Sequence, residues 1–321
     1  VISCEAHHAL SERRRGDVGE EIVALHAAGE VMVTLAKNCL RGDQAQGSLR
    51  AQPTAMDASQ EGYLIGFEDG DLDIVTPASR QKGREPRRLM GAASHVSACA
   101  ALMFGEREVY VAGYGSGQVC GWSKDIGSHS DFNLPQHGSS ILLVQAMGTQ
   151  VLIVSADGEG RVWDLSTVLD EDDGDMRFPL VGRLDASEQR PPSEEHPYGA
   201  ACVLEPRKHA GGALPNLREL VLGSSTGELE VWMVPREEEE STRTIAQTCH
   251  AAAITHITAK RHGEVYALLT ASDECVVRWV LDQDGLQARE RFPVSRGPSS
   301  LIILPPTKGG DPDLWRFLVA Y

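Results

Sequence analysis

Four tryptophans, Trp122, Trp163, Trp232 and Trp279, each close the same ten-residue pattern, a turn bearing Gly or Asp followed by an apolar strand. The segments GYGSGQVCGW (113–122), VSADGEGRVW (154–163), GSSTGELEVW (223–232) and TASDECVVRW (270–279) stack without gaps. Self-similarity at a period of tens of residues means an array, a solenoid or a propeller, because one such unit cannot bury its apolar face alone.

Counting back from each tryptophan gives the unit its physical content. Five residues earlier stand Gly117, Gly158, Gly227 and Glu274. Glycine suits the positive φ that hairpin turns demand, so Glu274 predicts a turn of another type. One place earlier, Ser116, Asp157, Thr226 and Asp273 are short polar residues able to bond local backbone or a nearby imidazole. Two degenerate copies lie upstream, GFEDGDLDIV around Gly70 and LHAAGEVMVT around Gly29. The core positions are then Thr34, Val75, Trp122, Trp163, Trp232 and Trp279, in steps of 41, 47, 41, 69 and 47 residues. The long step requires an insertion.

Each tryptophan is preceded by a histidine: His95, His137, His196 and His250. Four and seven residues beyond them stand Cys99/Leu102, Ile141/Val144, Ala200/Val203 and Ile254/Ile257. Small and apolar residues at those places predict entry into a buried strand. Each unit therefore reads as three strands joined by turns, then an outer edge strand.

A histidine opening the unit, an Asp six residues before a Trp, and the dipeptide Trp163–Asp164 resemble the WD-repeat β-propellers. The resemblance implies an all-β chain, a β-propeller of four-stranded antiparallel blades, seven-bladed with the last blade incomplete in this chain. It also implies a hydrogen-bonded tetrad in each blade. His137, Ser155, Asp157 and Trp163 fill all four of its places. His250, Asp273 and Trp279 fill three, with Ala271 where the serine would stand. His196, Ser224 and Trp232 leave the Asp place to Thr226, and His95 and Trp122 leave it to Ser116. An imidazole held in this way pins a loop onto a blade, and no catalysis is implied.

The same reading makes residues 1–321 one propeller domain. Its seventh blade takes Leu301–Leu304 (LIIL) and Phe317–Tyr321 (FLVAY) from the tail, with residues 1–6 supplying an outer strand, since closing a sheet through both termini removes exposed edges. The stop inside that blade leads to the expectation of a longer parent protein.

The composition narrows function. Apolar residues make up 41% and charged ones 24%, as in soluble globular proteins, and no apolar run approaches the roughly 18 residues of a membrane span. Seven cysteines, none in a CxxC pair, suggest neither a zinc ribbon nor a complete disulfide framework, and point to an intracellular, cytoplasmic or nuclear setting. The net charge of −16 would repel a phosphate backbone, so nucleic acid is disfavoured, with RNA or ribosome-assembly binding kept as the alternative.

Much of the acidity lies in Asp170–Asp175 and Glu237–Glu240. The first run sits in an acidic, proline-rich insertion, 166–197, whose Asp170, Glu171, Asp172, Asp173 and Asp175 are candidates for binding a partner. No nucleophile elbow, P-loop or HExxH is present, so no catalytic residue, metal or cofactor is expected. A propeller enzyme with a central-channel site is the less favoured class. Two Arg-Gly-Asp tripeptides, at 15–17 and 41–43, read as chance matches without a secretory context. The third position after each Trp holds Asp125, Ser166, Pro235 or Asp282, not the arginine frequent in cullin-ligase receptors of this family. What remains is a non-catalytic protein–protein interaction scaffold, a subunit of a larger complex that binds proteins or peptides through its rim and top face.

Overall fold

The computed structural model describes residues 2–5, 22–28, 31–36, 39–42, 46–59, 62–76, 86–104, 107–123, 129–166, 178–186, 198–204, 218–234, 241–262, 265–282, 284–304 and 316–320. All of the named elements are β-strands. β1 (Ile2–Glu5) stands apart from the next four in sequence. β2 (Ile22–Ala28), β3 (Val31–Ala36), β4 (Cys39–Gly42) and β5 (Gln46–Ser48) form one sheet in that order. The same order recurs in β6 (Pro53–Ala58), β7 (Tyr63–Phe67), β8 (Leu72–Val75) and β9 (Arg87–Leu89). It recurs again in β10 (Val96–Phe104), β11 (Arg107–Tyr114), β12 (Val119–Ser123) and β13 (Phe132–Leu134).

The fourth sheet is β14 (Ile141–Met147), β15 (Gln150–Ser155), β16 (Glu159–Asp164) and β17 (Leu180–Asp185). The fifth is β18 (Tyr198–Val203), β19 (Arg218–Ser224), β20 (Glu228–Val234) and β21 (Thr242–Thr248). The sixth is β22 (His256–His262), β23 (Val265–Ala271), β24 (Cys275–Asp282) and β25 (Gly285–Pro293). β26 (Ser300–Leu304) and β27 (Arg316–Ala320) complete the list, and β1 joins them in a three-stranded sheet of order β1-β27-β26. There Ile2 pairs with Val319 and Glu5 with Arg316.

Every tryptophan of the repeat lies in the third strand of its sheet and faces a fixed partner in the second. Trp122 pairs with Tyr110, Trp163 with Val151 and Trp232 with Leu220, each twelve positions earlier; Val75 pairs with Tyr63 in the same way. Trp279 pairs with Leu268, only eleven positions earlier. The missing residue is in the turn. Gly70, Gly117, Gly158 and Gly227 hold φ of 91°, 81°, 88° and 82°, and each donates its N–H to the carbonyl three residues back. At Glu274 the turn contracts, and Ser272 N–H bonds Cys275 O at 3.0 Å. The contracted turn closes over Asp273 and Glu274 alone, with no glycine in it.

The tips of four of these turns also tie down the chain leaving the outer strand. Gly117 O accepts from His137 N–H (3.0 Å), Gly158 O from Ala186 N–H (3.1 Å), Gly227 O from Cys249 N–H (2.9 Å) and Glu274 O from Val294 N–H (3.0 Å). Opposite three of the tryptophans the outer strand carries one extra residue. Val181, Thr244 and Arg289 are left over between the pairs flanking Trp163, Trp232 and Trp279. Such bulges turn a free sheet edge away from its neighbours.

One core position read from the sequence moves. Thr34 lies in β3, the second strand of its sheet, paired with Arg41 in β4, and Gly29 falls between β2 and β3. A glycine turn flanked by apolar residues looks alike in any hairpin of a sheet, and without a tryptophan nothing in the segment fixed which hairpin it was.

By packing, the chain divides into two units, residues 28–196, and residues 1–27 with 197–321. In the first, two apolar cores each draw on two successive sheets: one gathers Leu64, Leu72, Val96, Tyr110 and Trp122, the other Val111, Phe132, Val144, Ile153 and Trp163. In the second, Val221, Leu229, Ile254, Leu268 and Trp279 form one core, and Leu269, Val276, Leu301 and Phe317 another. The central strands β11, β12, β15 and β23 are buried almost without a break because each sheet buries both faces near its centre.

Candidate functional site

The residues with chemical potential are the histidines and hydroxyls around each tryptophan. β15 ends at Ser155, fully buried, and the Gly158 turn carries Asp157 back beside it. His137, on the chain entering β14, places Nδ1 3.0 Å from Ser155 Oγ. Ser155 donates to Asp157 Oδ1 at 2.5 Å, so its oxygen accepts from His137 Nδ1–H. The hydroxyl lies between imidazole and carboxylate, and the imidazole donates to it. This order holds a loop in place but does not draw the proton from Ser155 as a nucleophilic triad would. His137 Nε2 and Trp163 Nε1 are buried without a hydrogen-bonding partner among the described residues.

The sheet ending in Trp279 has the same pin in a fuller form. His250 Nδ1 is 3.0 Å from Ser272 Oγ, and Nε2 is 2.7 Å from Thr270 Oγ1. Trp279 Nε1–H donates to Thr270 Oγ1 at 2.9 Å. The polarity is continuous from the Trp N–H through the Thr hydroxyl to His Nε2, and from His Nδ1–H to Ser272. Counted from the strand pairing, Ser272 is the counterpart of Ser155, each four residues beyond the partner of its tryptophan. The contracted turn shifts the serine by one place, so Ala271 is not its substitute. Asp273 is exposed and lies against Gly297, not in the pin. Thr270 has no forerunner in the sequence reading; its counterpart in the other sheet is Ile153.

The remaining two sets depart further. Ser224 Oγ bonds Thr226 Oγ1 (2.9 Å) and Glu228 N–H (2.9 Å), while Trp232 Nε1–H donates to Glu230 Oε2 at 2.8 Å. Glu230 is fully buried, and it also accepts from Tyr198 Oη (2.8 Å) and pairs with Arg243 Nη1 (3.2 Å). His196 lies outside the described residues. His95 is exposed, its imidazole against the backbone of Gly115, and Ser116 Oγ meets Gln118 Oε1 at 3.2 Å. Tyr114 takes the serine column in that sheet, and Trp122 Nε1 is buried without a hydrogen-bonding partner among the described residues.

Burial pushes the His137 imidazole down to about 4, with Arg161 adding to it against the pull of Glu159 and Asp157. Burial, and then Arg291, pushes His250 down to about 4. Both rings are therefore neutral at ordinary pH, in keeping with His250 Nε2 accepting from Thr270 Oγ1. Among the described residues no group of three or more His, Cys, Asp and Glu is placed to hold a metal ion. No described helix is long and apolar enough to cross a membrane. Asp170, Glu171, Asp172, Asp173 and Asp175 lie outside the described residues.

A charged cluster that the sequence did not single out surrounds Arg50. The guanidinium sits 4.2 Å from the centroid of the Phe67 ring and pairs with Asp69, with Asp71 at 3.7 Å and with Asp73 at 3.2 Å. Its signal was faint, an arginine in a loop far from an acidic turn in sequence.

No protein-family model matches the chain, and no curated protein matches it. Solved structures do. The chain is similar to the computationally designed Ika8 protein with a TM-score of 0.59 and 19% identity, over 88% of this chain and 77% of that one. It is similar to a chain in the crystal structure of the Mitotic Checkpoint Complex with a TM-score of 0.58 and 13% identity, over 93% of this chain and 83% of that one. At such identities the likeness speaks of fold. Together with the repeated four-stranded sheets it makes this chain an all-β protein with the β-propeller fold, its blades four-stranded and antiparallel.

Proposed function

We propose that this chain is a non-catalytic interaction scaffold, a single propeller of divergent WD repeats over residues 1–321 that serves as a subunit of a larger intracellular complex. The observation that carries this reading is the fate of the polar groups nearest the tryptophans. His137 and His250 are buried, neutral and committed to hydroxyls of their own blades. Residues used in this way hold loops in place, and loops at fixed positions on a rigid frame are where partners bind. The likeness to a chain of the Mitotic Checkpoint Complex, a protein assembly, supports the same class. Proteins or peptides would meet the rim and top face, with 166–197 as one binding loop.

Affinity purification of the protein, intact and with residues 170–197 deleted, tests the reading. The expected result is a stoichiometric protein partner of the intact chain, lost or weakened by the deletion. Recovery with no stoichiometric partner under either condition would overturn the scaffold reading. An unchanged partner set would overturn only the role of the loop.

A further inference from the structure

The outer strands protect their free edges unequally. An edge strand offers unpaired N–H and C=O groups to any extended chain, and proteins blunt such edges by shortness, bulges or outward charges. β9 and β13 are three-residue strands. β17 alternates buried and exposed positions and carries the exposed Arg183. β25 is long but bears Arg289, Glu290 and Arg291 in succession. β21, TRTIAQT, has six exposed residues of seven and no strand on its far side among the described residues. Its single charge is turned inward, Arg243 to the buried Glu230. Its bulge at Thr244 lies near its start and leaves Ile245–Thr248 in regular register.

The direction of the backbone can be read from the neighbours. Glu228 N–H points back to Ser224 Oγ, whereas Val231 O accepts from Thr244 Oγ1 of β21. Backbone groups alternate sides along an antiparallel strand. Leu229 and Val231 therefore serve Gln247 and Ile245, and the N–H and C=O of Ala246 and Thr248 face outward.

We propose that β21 accepts an extended, basic segment of a partner protein as a fifth strand, a deepening of the scaffold reading on which it rests. Threonine and isoleucine keep the strand extended, and main-chain pairing supplies the affinity. Charge selects the occupant. The acidic run Glu237–Glu240 stands just before β21 in a chain of net charge −16, so a second copy is repelled and a lysine- or arginine-bearing segment is drawn in.

The probe is a short labelled peptide of alternating threonine and valine ending in two lysines, titrated against the full chain by fluorescence anisotropy. Saturable binding is expected, weakened at least ten-fold by Ala246→Pro, which removes an outward N–H and spares the ladder to β20. The same loss is expected when alternate amides of the peptide are N-methylated, a control that leaves the protein untouched and decides the matter if Ala246→Pro does not fold. Equal affinity for the methylated peptide, or no saturable binding, overturns the proposal. So does a concentration-dependent dimer abolished by Ala246→Pro, which would assign the edge to a second copy. Stoichiometric capture of a partner in the purification above, alongside failure here, would leave the scaffold reading standing without this edge.

Discussion

The blades ending in Trp163 and Trp279 share one pin and complete it to different degrees. In the latter, Thr270 bridges His250 Nε2 and Trp279 Nε1 at 2.7 and 2.9 Å. In the former, Ile153 stands in that column, and the equivalent two atoms have no hydrogen-bonding partner among the described residues. The blade that matches the family pattern best in sequence thus has the poorer hydrogen bonding. The imidazole–serine contact, 3.0 Å in both, is the shared element. Of these two tryptophans, the one tied in is the one supplied with a second hydroxyl.

The strongest way to probe that contrast is acid. Both histidines sit near 4 in the folded protein for the same reason, burial, and near 6.5 when unfolded. Between these limits the unfolded chain binds more protons, so stability is complete above about pH 6.5 and falls as the pH drops toward 4. The loss approaches about 3 kcal/mol per histidine, and His137→Gln and His250→Gln should each remove a similar share of it in urea unfolding across that range. Unequal shares would mean that the bridging hydroxyl, not burial, governs the titration.

Next in size, Thr270→Val should convert one blade into the likeness of the other, leaving two buried polar atoms unpaired at a cost of about 2 kcal/mol in urea. Its mirror, Ile153→Thr, should cost no more than Ile153→Val to within about 1 kcal/mol, because the new hydroxyl finds a donor and an acceptor waiting. The smallest effects lie in the turns. Gly158→Ala, at a φ of 88°, should lower stability by about 1 kcal/mol, whereas Glu274→Gly in the contracted turn should change it by about 0.5 kcal/mol or less. Equal losses at both sites would show that the two turns do not differ as described.

The sequence carried the tryptophan column because it recurs at a constant distance from a glycine that the turn geometry demands. Ser155 was legible for the same reason. Ser272 was not, because a turn one residue shorter moved it out of the counted column and put Ala271 there instead. Glu230 was hidden more deeply. A buried carboxylate two places before a tryptophan looks like an outward residue of an alternating strand until Tyr198 and Arg243 close on it from segments distant in sequence. The copy around Gly29 slipped by a whole strand because it lacked the one residue type that marks the third strand. Asp170–Asp175 and His196 lie outside the described residues.

The bonds from the turn tips to the chain leaving each outer strand have a consequence for how such a protein can vary. In four blades they fasten the end that holds the turn between second and third strands. At the opposite end, where first joins second and third joins fourth, a like bond runs from Leu165 N–H to Thr149 O at 2.9 Å in the blade of Trp163. Connections there range from the tight step between β14 and β15 to the long ones between β16 and β17 and between β18 and β19. The turns at the clasped end stay within a residue of one another. Inherited insertions, like any reporter spliced in by design, should be tolerated in the connections that already vary in length, while a single added residue at a turn tip would detach the exit of its own blade.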